Sequence, residues 1–252
     1  MQPFIELRLH ATAAPDAVGR ALGDACANAR LVHVRGTPRS SNMKSFWDEA
    51  IGAFGTKVSV DEDPDTGVAT GAGWSSVEFD PLRSNRFRHS STAQPLHTDG
   101  SYLPDPPSIV FLICEKQARS GGATLFLDGP ALESTLERER PDLLRRLLEV
   151  PIIFGKGGSE VETMIISPSA RGSHLTWNYF AASEKNTADA AALCRHFRDF
   201  LQHLTSRQLP RALRLAPGEA VIFRDNALLH GRERFAATEA GDRLLLKGGL
   251  RL

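Results

Sequence analysis

The chain has 252 residues, 41% of them hydrophobic, which supplies a sizeable core and fits one large domain or two small ones. Lys and Arg number 30 and Asp and Glu number 30, so the overall charge predicts no nucleic-acid partner. Three cysteines without a CxxC pair argue against a disulfide framework and predict buried thiols. The first thirty residues have no continuous apolar segment, and no stretch is long enough for a membrane span. These features predict a cytoplasmic protein with no membrane partner.

Two helices are predicted in the N-terminal part. Apolar residues at helical spacing predict a helix over 15–30, and a short strand follows over 31–36. The second helix is predicted over 41–54, with Ser41 or Asn42 as its cap and Gly55 as its stop. Residues 61–73 are acidic and rich in glycine, which predicts a loop or a hairpin rather than a metal site, because no ligand spacing repeats.

Beyond residue 107 the pattern is mostly that of strands. Leucines at helical spacing predict two helices broken at Pro141, and an amphipathic pattern predicts a long helix over 187–205. Many short strands and few helices predict a mainly β fold with added helices, a β-sandwich or jelly roll, as one domain over 1–252. The strand segments are 108–115, 122–129, 150–155, 163–168, 174–180, 212–235 and 242–252, and the two broken helices are 131–138 and 141–148.

The first candidate site is the segment PLHTDG at 95–100. Side chains alternate along a strand, so His97 and Asp99 face the same way and can give one nitrogen and one carboxylate oxygen to a cation. By itself this pair is a weak signal, and a capped turn is the simpler interpretation.

The second candidate site is the segment DNALLHGR at 225–232, in which His230 ends an apolar strand. If the sheet closes, this late strand can place His230 beside His97. Two histidines and a carboxylate form the facial triad of non-haem iron(II) oxygenases, which leaves coordination positions open. A structural zinc site is more often closed by four ligands that include cysteine.

A third candidate feature is Arg243, near the C-terminus. A chelating dicarboxylate needs its far carboxylate held, and an arginine fork with a nearby hydroxyl does this. Thr124 is the hydroxyl candidate. Alone, Arg243 is more simply a cation on a surface strand.

The order of HTD, GGATL, DNALLHGR and an arginine followed four residues later by a basic residue resembles the TauD/TfdA family of iron(II)/2-oxoglutarate-dependent dioxygenases, in the clavaminate synthase-like superfamily. The resemblance runs from about residue 82 to the C-terminus. It implies a double-stranded β-helix (jelly-roll) core. It also implies that Thr124 and Arg243 hold 2-oxoglutarate and that iron(II) is bound by His97, Asp99 and His230.

The resemblance further implies the reaction. The enzyme would use O2 and 2-oxoglutarate to hydroxylate an unactivated C–H bond of a small polar metabolite, such as an amino acid or a natural-product intermediate, and would release succinate and CO2. Because Asp99 is present, hydroxylation, desaturation, epimerisation or cyclisation is favoured over halogenation. A non-oxidative jelly-roll metalloenzyme and a non-catalytic ligand-binding β-sandwich are the alternatives, and neither needs Thr124 and Arg243. The oligomeric state stays open.

Six residues are candidate substrate contacts: Gln94, Tyr102, Trp177, Asn178, Arg232 and Lys247. Trp177 and Asn178 are equally consistent with a place in the core. Arg232 shares a strand face with His230, so it either anchors an acidic group or braces the site. Lys247 lies where relatives often carry a second arginine, but a lysine lacks the bidentate fork.

Residues 61–90 lie where relatives place a lid over the active site. The arginines in this segment could meet an anion, although solvated surface arginines are the simpler interpretation. They are Arg83, Arg86 and Arg88.

Overall fold

Two main β-sheets packed face to face, with helices on both outer sides and two separate two-stranded sheets, make up the described fold. The computed structural model describes residues 1–10, 12–37, 42–59, 61–63, 66–68, 70–169 and 172–251. The α-helices are α1 (Pro15–Asn28), α2 (Met43–Gly52), α3 (Gly129–Glu139), α4 (Pro141–Glu149) and α5 (Ala188–Ser206). The strands are β1 (Ile5–Arg8), β2 (Leu31–Arg35), β3 (Thr56–Val58), β4 (Ser75–Glu78), β5 (Gln94–His97), β6 (Ile109–Lys116), β7 (Thr124–Asp128), β8 (Pro151–Lys156), β9 (Ser159–Met164), β10 (Ile166–Ser169), β11 (Gly172–Leu175), β12 (Arg211–Leu213), β13 (Ala220–Arg224), β14 (Leu228–Arg232) and β15 (Leu244–Arg251).

The larger sheet has seven strands in the order β1-β2-β13-β6-β15-β3, and β4 also pairs with β15. Its pairs are antiparallel except for β1 with β2. The smaller sheet has four antiparallel strands in the order β12-β7-β14-β5. The predicted mainly β fold with added helices is confirmed, whereas the single domain over 1–252 stays a prediction.

Alternation along the strands builds three apolar layers. On β6, Phe111 packs with α1 and α2, whereas Val110 and Leu112 face the smaller sheet. On β14, Leu229 packs on the side of α3, α4 and α5, whereas Leu228 faces the larger sheet. Successive side chains of a strand point to opposite faces, so the polar residues that share the inner face enter the space between the sheets.

Several predicted boundaries are confirmed and others are wrong. The helix break at Pro141 is confirmed, and so is the burial of all three cysteines. Asn42 caps α2 by accepting a hydrogen bond from the backbone N–H of Ser45, while Ser41 lies outside the described residues. Among the described residues, no helix combines the length and the apolar character that crossing a bilayer requires.

The strand predicted over 174–180 ends at Leu175. The side chain of Asn178 accepts a hydrogen bond from the backbone N–H of Phe180 and starts a 3-10 turn over Tyr179–Ala181. The apolar run at 212–235 is likewise divided, because the chain crosses from β13 in the larger sheet to β14 in the smaller one through a turn at Asp225–Ala227. A change of sheet requires such a break, which residue periodicity does not show.

Gly248 on β15 provides a test of how closely the larger sheet packs. A Cβ added there would lie 2.0 Å from Cζ of the buried Phe111 ring. We expect Gly248→Ala to lower the free energy of unfolding by about 1–3 kcal/mol, as overpacking does. Gly52→Ala is the control, because no atom lies within 4 Å of its added Cβ. Urea unfolding measures both; a wild-type midpoint for Gly248→Ala would contradict the packing described.

Candidate active site

Two strands of the smaller sheet place two histidines opposite each other. His97 on β5 and His230 on β14 are cross-strand partners, and their ring centroids are 4.2 Å apart. The register between the strands then shifts, since Arg232 pairs with Gln94. Gly231 fits this bulge, because a Cβ there would lie 2.7 Å from the backbone oxygen of Gln94. Bulges next to active sites re-aim side chains in this way.

Asp99 completes a three-residue cluster with these histidines. Its Oδ1 lies 3.8 Å from Nε2 of His97, and its Oδ2 lies 3.7 Å from Nε2 of His230. The ligand atoms of the three residues all lie within 4.8 Å of one another, and no other such group was found among the described residues. Asp99 does not continue the strand as predicted, because β5 ends at His97 and the chain turns at Gly100 with a φ of 61°. The turn nevertheless brings the carboxylate to the histidines.

The Nδ1 atoms of both imidazoles face oxygen atoms. The carbonyl oxygen of Pro95 lies 2.9 Å from Nδ1 of His97. Oδ1 of Asp225 lies 3.1 Å from Nδ1 of His230. Because a carbonyl oxygen only accepts hydrogen bonds, Nδ1 of His97 carries the hydrogen and its Nε2 keeps the lone pair. This is the tautomer that a metal ligand needs.

Burial and charge set the protonation states of the cluster. Burial lowers the pKa of His97 to about 4, assisted by the charge of His230, and burial lowers the pKa of His230 to about 4 as well. Burial alone would raise the pKa of Asp99, but the charge of Lys247 is the largest of the effects that hold it below its ordinary value. Near neutral pH the cluster therefore has two neutral imidazoles and one carboxylate, which are the forms that bind a cation.

Lys247 reaches the cluster from the larger sheet. Its Nζ lies 2.6 Å from Oδ2 of Asp99. Lys247 was predicted as a substrate contact, and the structure places it against a candidate metal ligand as well as in the cavity wall. The ammonium group therefore supplies positive charge to the buried carboxylate.

Arg243 is buried rather than solvated, so its interpretation as a surface cation is wrong. The residue is 2% exposed; its Nη2 donates to the carbonyl oxygen of Gly122 at 3.4 Å, whereas its Nε and Nη1 have no hydrogen-bond partner among the described residues. It lies close to Gly122, where an added Cβ would be 3.2 Å from Nε. Burial lowers the pKa of Arg243 to about 10, which still leaves it charged at neutral pH. Thr124 is also buried, and it lines the same cavity as Arg243. A buried guanidinium with two free N–H positions fits a carboxylate ligand.

Arg232 braces the site. Its Nη2 donates hydrogen bonds to three backbone oxygens, those of Phe87, Ser90 and Thr92, at 3.1, 2.7 and 2.8 Å. It therefore ties the 87–92 segment to β14, which favours the bracing role over the anchoring of a substrate group.

One cavity of about 540 Å³ contains the cluster. Its walls include five of the six predicted substrate contacts, and Arg243 lines it as well. The five are Gln94, Tyr102, Asn178, Arg232 and Lys247. Trp177 does not line the cavity. It is 1% exposed and packs against Phe197 at 4.8 Å between ring centroids, so the structure places it in the core.

The 61–90 segment contributes to the cavity wall, together with a hairpin that the sequence did not suggest. Nη1 of Arg88 donates to Oδ1 of Asp61 at 2.8 Å, so this arginine is paired rather than solvated. The side chain of Arg83 is 58% exposed and pairs with Asp80, whereas Arg86 lines the cavity. Glu62 forms an ion pair with Lys156 at the tip of the β8–β9 hairpin. Neither the hairpin nor Asp225 was predicted, because no spacing signal connects them to His97.

The lowered histidine pKa values predict a pH-dependent stability for the metal-free protein. Unfolded histidine titrates near pH 6.5, so between about pH 6.5 and pH 4 the unfolded chain binds more protons than the folded one. We therefore expect the free energy of unfolding to fall on acidification, by on the order of 4 kcal/mol for the two histidines together between about pH 7 and pH 5. Urea unfolding at each pH measures this.

The controls for this pH dependence are two glutamine variants. The double variant His97→Gln, His230→Gln should show a flatter dependence, whereas His203→Gln, at an exposed position, should keep the wild-type slope. An unchanged slope in the double variant would contradict the assignment.

The comparisons with known proteins agree with this geometry. The family model described as "Taurine catabolism dioxygenase TauD, TfdA family" matches residues 11–249. A uridine-5'-phosphate dioxygenase from Streptomyces sp is 31% identical over 63% of this chain and 62% of its own length. Human gamma-butyrobetaine dioxygenase is 22% identical over 63% of this chain and 44% of its own length. The matches thus span less than two thirds of either relative.

The fold is also shared with a solved structure. Asparagine oxygenase in complex with Fe(II), 2S,3S-3-hydroxyasparagine and succinate superposes with a TM-score of 0.73. It is 15% identical, over 97% of this chain and 93% of that chain. The similarity confirms the predicted jelly-roll core. Since the family model covers nearly the whole sequence, this chain belongs to the TauD/TfdA family of dioxygenases.

Proposed function

We propose that this chain is an iron(II)- and 2-oxoglutarate-dependent oxygenase that hydroxylates an unactivated C–H bond of a small polar metabolite. The observation that carries the proposal is the shared cavity of a buried His-Asp-His cluster and the buried guanidinium of Arg243, whose Nε and Nη1 have no hydrogen-bond partner among the described residues. A metal with open coordination positions and a chelating dicarboxylate need this combination. A metal site for hydrolysis needs only the cluster.

The residues fit both groups. His97, Asp99 and His230 would hold the iron, because their donor atoms converge in the protonation states that bind a cation. Arg243 would hold the distal carboxylate of 2-oxoglutarate, with the hydroxyl of Thr124 as a further donor. When bound with O2, iron and 2-oxoglutarate supply the oxidising chemistry and yield succinate and CO2.

The protein itself binds and orients the ligands and shields the site. Burial keeps the two imidazoles neutral, so no proton has to leave them before a metal binds. Arg232 holds the 87–92 segment against β14 and thereby closes one side of the cavity. The walls near the cluster offer polar side chains to a substrate: Gln94, Tyr102, Asn178 and Lys247.

The substrate class is the finer part of the proposal. The polar side chains in the wall and a volume of about 540 Å³ suit a small polar molecule, such as an amino acid or a natural-product intermediate. The names of relatives support this, since they refer to asparagine, uridine-5'-phosphate and gamma-butyrobetaine. We propose hydroxylation over halogenation because Asp99 occupies the carboxylate position of the cluster. A cytoplasmic location without nucleic-acid or membrane partners stays a prediction.

Anaerobic titration of the metal-free protein with iron(II) and 2-oxoglutarate tests the reaction class. We expect a weak charge-transfer band in the visible range, which His97→Ala abolishes because a ligand is lost. Arg243→Met should weaken 2-oxoglutarate binding by about 10- to 100-fold, the effect of losing charge-assisted hydrogen bonds, and should leave metal affinity near wild type. Arg251→Met, at the end of the strand that Arg243 precedes, is the matched control, since that arginine is half exposed and lies outside the cavity wall.

Two outcomes would contradict the proposal. The first is metal binding without any band on addition of 2-oxoglutarate, which would favour a non-oxidative metalloenzyme. The second is an equal loss of 2-oxoglutarate affinity in Arg243→Met and Arg251→Met, which would remove the special role of the buried guanidinium. Succinate release over a panel of amino acids and nucleotides then identifies the substrate.

A further inference from the structure

Asp225 is a buried carboxylate that the proposed reaction does not use. It lies in the turn between β13 and β14, where the chain crosses from the larger sheet to the smaller one, and it is 2% exposed. A buried carboxylate is costly unless it is compensated, and here burial, followed by the charge of Asp99, raises the pKa of Asp225. The contacts of Asp225 explain why a carboxylate occupies this buried position.

Each oxygen of Asp225 faces a different part of the cluster. Oδ2 accepts a hydrogen bond from the backbone N–H of Asp99 at 2.7 Å. Oδ1 lies 3.1 Å from Nδ1 of His230. These last two atoms are buried and neither has an aligned hydrogen-bond partner among the described residues, so the 3.1 Å approach between them is a close polar contact rather than an aligned hydrogen bond. One carboxylate therefore touches two of the three candidate metal ligands.

The two contacts of Asp225 have different effects. A carboxylate at Nδ1 favours the tautomer with hydrogen on Nδ1, which leaves the lone pair of Nε2 directed at Asp99. The bond to the Asp99 amide fixes the turn that follows β5 and so the direction of the Asp99 side chain. His97 needs no such partner, because the carbonyl oxygen of Pro95 already faces its Nδ1.

We propose that Asp225 is a positioning residue that fixes the His230 tautomer and the Asp99 turn together, and thereby sets the affinity of the site for a divalent metal. This inference rests on the proposed function, because it assumes that the cluster binds metal. An asparagine at this position has one acceptor oxygen instead of two, so it can satisfy either the Asp99 amide or His230 but not both.

The first test is Mn(II) binding to the metal-free full chain, followed by electron paramagnetic resonance of the free ion. We expect Asp225→Asn to weaken Mn(II) binding by about 10- to 100-fold, the usual effect of losing such an outer partner, with a thermal midpoint near that of the wild type. Asp128→Asn is the matched control: it loses a partly buried ion pair with Arg30 outside the cavity wall and should bind Mn(II) like the wild type. Wild-type affinity in Asp225→Asn would overturn the inference.

A second measurement keeps the inference testable even if the variant does not fold. Long-range ¹H–¹⁵N spectra of the wild-type metal-free chain report the tautomer of each histidine, and His230→Gln assigns the signal. We expect His230 with hydrogen on Nδ1; hydrogen on Nε2 would overturn the inference.

The failure of this inference is distinguishable from the failure of the proposed function. If the wild type binds neither Mn(II) nor iron(II), the proposed function fails. If the wild type binds metal and shows the 2-oxoglutarate band while Asp225→Asn equals it, only the role of Asp225 fails.

Discussion

The cross-strand pairing of His97 with His230 is the constraint on which the candidate site depends. Backbone hydrogen bonds between β5 and β14 set this register, and a slip by one residue would turn one histidine to the opposite face of the smaller sheet. The bulge beside the pair lets β5 end at His97, so that the chain can turn and present Asp99 to both rings. Gly231 and Gly100 permit the close approach and the turn.

The inner space of the sandwich carries more charge than an apolar core. Arg243, Arg232, Lys247, Asp99 and Asp225 all lie there, and the first two have pKa values lowered by burial. Charges in such a place are costly unless they are paired or bind ligands. Nη2 of Arg232 donates to backbone oxygens, and Asp99 pairs with Lys247. Among the described residues, Nε of Arg232 and the Nε and Nη1 of Arg243 have no hydrogen-bond partner, and both arginines line the cavity in which a dicarboxylate would bind.

The mainly β fold and its helices could be predicted because they follow from local patterns. A proline interrupts a helix in any structural context, so the break at Pro141 could be predicted. The alternation in β6 and the apolar stripe on α5 can each be recognised within a single segment. The places where the sequence-based prediction was wrong are those where the chain leaves a sheet. The 174–180 segment turns at Asn178, and the 212–235 segment breaks at Asp225 as the chain changes sheets. A local pattern does not contain the position of the neighbouring sheet.

The sequence by itself determined the residue types of the candidate site: the histidines and carboxylate suited to a cation, and an arginine suited to a carboxylate. The motif order also determined the family. Only the tertiary structure decided that Arg243 is buried, that Trp177 belongs to the core, that Arg232 braces a loop, and that Asp225 touches two ligands at once. The physical reason is that burial and contact depend on how two sheets close on each other, which involves residues far apart along the chain.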